Sequence, residues 1–213
     1  MRRLLFLISA LVALSAGPAH TATVILSPTA DTGLPFWCDW GYDWDERCYW
    51  DDGIRLPVGG VDDKVWRSAL RFDLASVPQN AAVTSARLRL FHDGTCVAPY
   101  RTATECDERT YEIDAHRIWT ARWASEQEVE IDGRIAATAW LDPATEADAL
   151  DWNLTALVRV WHAGSANNGV LLKLADGEED FGTSGPYFPS SSYPQAALRP
   201  RLVVTFTTRP PAL

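Results

Sequence analysis

The chain has 213 residues, 19 basic against 28 acidic, and a net charge of −9. That balance argues against nucleic acid and anionic membrane surfaces as partners, because both are held by an excess of Lys and Arg. Beyond the N-terminus no apolar run approaches the ~20 residues needed to cross a bilayer, so no membrane insertion is expected.

The N-terminus reads as a secretory signal peptide over residues 1–22. Arg2 and Arg3 give a positive n-region, Leu4 to Ala13 an apolar h-region, and Ser15-Ala16-Gly17-Pro18-Ala19 the small residues of a cleavage site. Cleavage is expected within Ala19 to Ala22, leaving a mature chain with 17 basic and 28 acidic residues. A single domain is expected over 23–208, with 209–213 as a C-terminal tail. The expected location is secreted and extracellular.

Two-residue alternation dominates the mature chain. Ser68 to Leu74 sets Leu70 and Phe72 against Arg71 and Asp73. Pro78-Gln79-Asn80 marks a turn. Val83 to Phe91 then sets Ala86, Leu88 and Leu90 against Arg87 and Arg89, the pattern of a half-buried antiparallel strand. Tyr111 to Ile118, Gly169 to Leu174 and Arg201 to Thr207 are further strands, with Asn167-Asn168-Gly169 as a turn. Ala144 to Ala149 suggests a brief helical turn. Asp151 to Thr155 reads as a strand running into a capped helix, in which Leu154, Leu157, Val158 and Trp161 recur at helical spacing up to Gly164. Many short strands and one short helix predict an all-β fold, a β-sandwich of two antiparallel sheets.

Four cysteines come after the leader in two pairs of equal spacing, Cys38 with Cys48 and Cys96 with Cys106. Four cysteines allow three connectivities, and an exported chain favours disulfides. The two local pairings are expected, since each closes a short loop between strand-like stretches. Zinc fits poorly, with nine intervening residues and no neighbouring histidine.

The densest chemistry lies in Phe36 to Asp52, where seven aromatics interleave with six carboxylates. Trp37, Trp40, Tyr42, Trp44, Tyr49 and Trp50 are the candidate ligand-binding residues. Indoles stack on the C–H face of a sugar ring and carboxylates accept from its hydroxyls. Closing this loop through Cys38–Cys48 would lower the ordering cost of binding. The alternative is a satellite cluster packed over one end of the sandwich. Asp39, Asp43 and Asp45 are candidate metal ligands, with calcium the suitable ion, although the EF-hand order is missing. No other cofactor is expected. So acidic a face would repel polyanionic sugars and favours neutral ones.

Elsewhere, Trp119 and Trp123 flank Arg122 and suit either ligand stacking or core packing. Trp66 and Trp161 read as packing residues, and His92, His116 and His162 as surface or rim positions. Asp114 and His116, two apart, share a strand face. Asn153-Leu154-Thr155 matches a glycosylation sequon. There is no G-x-S-x-G elbow, no H-E-x-x-H and no phosphate-cradling glycine loop, so no catalytic residue is assigned and no enzyme is expected.

Six stretches in order carry a resemblance: Ala30-Asp31-Thr32, Arg67 to Leu74, Val83 to Leu90, Trp152 to Val158, Ala166 to Leu172 and Arg199 to Phe206. Together they resemble a DNRLRE domain, a bacterial exported module related to family 96 of carbohydrate-binding modules. The resemblance covers nearly the whole mature chain and implies a jelly-roll β-sandwich, often an accessory to secreted enzymes or surface proteins. Some relatives are associated with polysaccharide, alginate among them. The six-letter string behind the family's name is absent here, and Leu34 to Asp52 and the Cys96–Cys106 loop depart from the basic pattern.

The function expected is a secreted, non-catalytic binding module whose partner is a polysaccharide or other glycan at the cell surface or matrix. One alternative is a structural or adhesive protein that meets another protein through its aromatic loop. A third is a polysaccharide-active enzyme with an unrecognised site. The oligomeric state is not indicated.

Overall fold

The computed structural model describes residues 19–38, 53–61, 64–97, 106, 109–123, 129–142, 149–179 and 185–208. In chain order the strands are β1 (His20–Leu26), β2 (Pro28–Cys38), β3 (Arg55–Pro57), β4 (Gly59–Val61), β5 (Lys64–Phe72), β6 (Ala82–Phe91) and β7 (Cys96–Val97). Then come β8 (Tyr111–Ile118), β9 (Ile131–Leu141), β10 (Ala149–Asn153), helix α1 (Thr155–His162), β11 (Val170–Leu174), β12 (Gly185–Pro189) and β13 (Arg201–Thr208). The described residues are mostly β, with one short α-helix among them, and the strands pair antiparallel into two main sheets. One is ordered β1-β13-β6-β10. The other runs β2-β5-β11-β8-β9, with β4 also on β5. A small third sheet, β3-β12-β7, adds to the two that alternation predicts.

The alternation in β6 decides its orientation. Ala86, Leu88 and Leu90 are fully buried, Arg87 is exposed, and Arg89 is half-exposed. From the facing sheet Leu70, Phe72, Ile113, Ala115, Val170, Leu172 and Leu174 close on the same core. Trp152 of β10 crosses between the layers, its Nε1–H donating to the Ile113 carbonyl of β8 at 2.9 Å. It also meets Phe188 of β12 edge-on, centroids 6.1 Å apart.

Helix α1 buries Leu157, Val158 and Trp161 against this core. Its start is tied to β6, because Thr155 Oγ1 accepts from the Ala86 N–H at 2.9 Å. Gly164, at φ +103, lies just past its end. The helical turn expected at Ala144 to Ala149 lies outside the described residues except for Ala149, which opens β10. β12 touches the body through a close approach: a Cβ on Gly185 would sit 1.9 Å from the Val58 carbonyl oxygen, so only glycine fits.

The outward face of the larger sheet is also covered. At one end Trp123, Val129 and Ile131 pack on Leu34, Ala69, Ile118 and Leu171. Further along, Lys173 sits directly opposite Asp114, which in turn faces Thr138. Arg67 forms a bidentate pair with Glu179 at 3.0 and 2.6 Å, and Lys173 lies 3.5 Å from the same carboxylate. Lys173 also donates to Asp176, and that bond, with the lysine's charge, holds the Asp176 carboxyl below its usual range. His116 and His92 are both buried, which corrects their reading as surface or rim residues. The strand alternation carries His116 outward correctly, but residues folded back from elsewhere in the chain bury it.

Candidate functional site

The aromatic-acidic segment lies almost wholly outside the described residues. Trp37 lies in β2 opposite Val65, and Cys38 opposite Lys64. Asp39, Trp40, Tyr42, Asp43, Trp44, Asp45, Cys48, Tyr49 and Trp50 lie outside the described residues, as do the side chains of Trp37 and Cys38. The Cys38–Cys48 pairing falls with them.

The second expected disulfide is present, Cys96 to Cys106 with Cα atoms 5.0 Å apart. His92 stands beside it, with Nε2 3.5 Å from Cys106 Sγ and donating to the Thr95 carbonyl at 3.0 Å. Burial lowers the His92 pKa, outweighing that hydrogen bond and the nearby Asp93 charge. His92, Cys96 and Cys106 are also the one trio of metal-type donors that converges among the described residues. The two sulfurs are bonded to each other, so the trio is a packed disulfide and not a metal centre.

Trp119 and Trp123 do not form one platform. Trp119, 43% exposed, lies under the Arg117 guanidinium at 4.0 Å from its ring centroid. Trp123 carries Arg71 at 5.4 Å and packs on the cluster of Leu34, Ala69, Ile118 and Leu171. Each indole holds its own arginine. Trp66 and Trp161 are buried, as packing residues should be.

Among the described residues, an arrangement that could meet a ligand lies between β9 and β10, the last strands of the two main sheets. There a groove of about 340 Å3 is lined by Thr138, Ala139, Trp140, Leu141, Asp142, Ala149, Leu150 and Asp151. Alternation explains its chemistry. Ala139 and Leu141 turn into the core, so Trp140 between them must turn outward, where it is 63% exposed. Leu150 turns inward on β10 in the same way, leaving Asp151 at the surface side. Across the strand pairing Trp140 faces Glu112 of β8, and Thr138 donates to Asp114 at 2.5 Å. Asp151 is held by Arg89 of β6 through two hydrogen bonds, 2.8 and 2.7 Å. Those bonds and the carboxylate charge raise the Arg89 pKa further.

A tryptophan left this exposed loses roughly 1.5–3 kcal/mol of transfer free energy relative to a buried large side chain. The groove therefore offers an indole to solvent beside a hydroxyl and two carboxylates, over buried aliphatic groups. Sequence reasoning passed over Trp140, whose only signal was its place between two apolar residues at the end of an alanine-rich stretch. No family model matches the chain, and no curated protein matches it.

Proposed function

We propose that the chain is an exported, non-catalytic carbohydrate-binding module of the DNRLRE kind, with the Trp140 groove as a contact site. The observation that carries this is the exposed indole at the sandwich's edge, set beside Thr138, Asp142 and Asp151. A pyranose stacks its apolar face on such a ring, and the oxygens at its rim accept from hydroxyls. The acidic surroundings favour glycans that are not polyanionic. The export reading is supported by the three-part leader and the Cys96–Cys106 disulfide, a bond that persists in oxidising compartments. β1 begins at His20, so cleavage after Ala19 leaves that strand whole, whereas cleavage after Ala22 removes its first three residues.

Affinity electrophoresis of the mature chain through gels containing single polysaccharides tests the reading. At least one polysaccharide should retard the parent, and Trp140→Ala should migrate as if no polysaccharide were present, with an unchanged far-UV circular dichroism spectrum. Parallel Trp40→Ala and Trp44→Ala variants report on the aromatic loop. If Trp140→Ala is retarded as strongly as the parent, the groove is not the site.

A further inference from the structure

The junction between β10 and α1 carries a motif that sugar binding leaves unused. The asparagines of the chain are Asn80, Asn153, Asn167 and Asn168, and Asn153 alone has a hydroxyl residue two places on, in Asn153-Leu154-Thr155. That is the acceptor sequence for N-linked glycan transfer, with no proline in its middle position. Asp151, two residues before the asparagine, gives it the longer acidic form, Asp-x-Asn-x-Thr, on which bacterial transferases act.

The fold leaves room for a product at this position. Alternation sends Trp152 and Leu154 into the core, while Asn153 between them is exposed. It faces outward on β10 opposite Arg87 of β6, which is exposed as well. Asn153 Oδ1 accepts from the Thr155 N–H at 3.2 Å and from the Thr155 hydroxyl at 2.6 Å. A sugar on Nδ2 leaves that oxygen and both bonds in place, so the start of α1 survives the modification. In the folded chain Asp151 is held by Arg89, and both neighbours of Asn153 are buried. The transferase therefore reads this sequence before β10 pairs, and the native fold then accommodates the glycan.

We infer, resting on the export reading, that Asn153 carries an N-linked oligosaccharide in the exported protein. The amide Nδ2 attacks C1 of the first sugar of a lipid-linked oligosaccharyl diphosphate. The C1–N bond forms, the C1–O bond breaks, the lipid diphosphate leaves with the electron pair, and the amide gives up one proton. The glycan then stands on the end strand of the smaller main sheet, where its bulk hinders strand addition by another chain.

Mass spectrometry of the chain purified from its native host is the test. The tryptic peptide of residues 135–159 should exceed its sequence mass by that of an oligosaccharide, and fragmentation should place the sugar on Asn153. Asn153→Gln and Thr155→Val should lose the added mass completely, and Thr155→Ser should keep it, because transfer needs the hydroxyl and not the methyl group. N-terminal sequencing of the same sample reports whether the leader has been removed. If the chain is outside the cell without its leader and the Asn153 peptide is unmodified, export stands and the inference falls. Added mass that persists in Asn153→Gln sits on another residue and overturns the inference. A chain retained with its leader and unmodified overturns both readings.

Discussion

Trp152 is the largest fully buried side chain among the described residues, and its removal can be costed. It is fully buried, comes from β10 of the smaller main sheet, bonds the backbone of β8 in the larger one, and abuts Phe188 of the third. Trp152→Ala deletes the whole indole and should cost about 3–5 kcal/mol in transfer and cavity terms. That is about a fifth or more of a total stability of about 5–15 kcal/mol. For a domain of this size each kcal/mol is worth about 2–4 °C, so the melting temperature should fall by roughly 6–20 °C. Trp152→Phe keeps most of the apolar volume and removes the N–H donor to Ile113, for which about 1–3 kcal/mol is expected. Urea unfolding should be tracked by far-UV circular dichroism, because ten tryptophans make fluorescence unassignable to one site. If Trp152→Ala changes stability by no more than about 0.5 kcal/mol, the magnitude of a neutral surface substitution, the indole does not join the sheets.

Cys96→Ser/Cys106→Ser should lower stability by about 3 kcal/mol, from the loop entropy of a bridge with a sequence separation of 10; an unchanged urea midpoint under reducing and oxidising conditions would sink this. Burial lowers the His92 pKa, so between its folded value and the unfolded one near ~6.5 the unfolded chain binds more protons. Stability should therefore be full above that range and fall as pH drops through it, and His92→Gln should flatten that part of a melting-temperature profile; equal slopes in parent and variant would refute it. Gly185→Ala drives a methyl into the Val58 carbonyl and should abolish soluble expression. Recovery of a folded variant with a parental melting temperature would show that β12 does not pack against Val58 this closely.

How much of the fold was legible in the sequence depends on which constraints are local. Alternation within one strand is a local fact, so Tyr111 to Ile118 emerges with the bounds of β8 and Val83 to Phe91 within one residue of those of β6. Proline hid other strands. β2 contains Pro28 and Pro35, tolerated because it is an edge strand whose register shifts beside both of them. β12 contains Pro186 and Pro189 yet lies between two strands, because each pairing spans only two or three residues. The burial of His116, Asp114 and Lys173 was beyond reach for another reason. Their strands predict an outward face, and only the fold brings Arg67, Glu179 and Asp176 over it.

The same distinction separates the two candidate sites. Phe36 to Asp52 attracts notice through density of aromatics, a property of sequence that says nothing of where each ring points. Trp140 has no such density, and its exposure arises from three facts of topology. β9 ends its sheet, β10 ends the other, and the two are consecutive in the chain. Two edge strands that do not pair with each other leave a gap, and any outward residue near the end of β9 borders it. An alanine there would leave a featureless notch. Tryptophan gives it a flat apolar wall, and the acidic residues just beyond give it a charge. Edge strands must also be kept from pairing with other chains, commonly by charge, bulges and irregularity. β9 meets that need with register shifts against β8 and carboxylates at its end. A large exposed indole works against that protection, which is the physical argument behind the proposal that Trp140 meets a ligand and does not defend the edge.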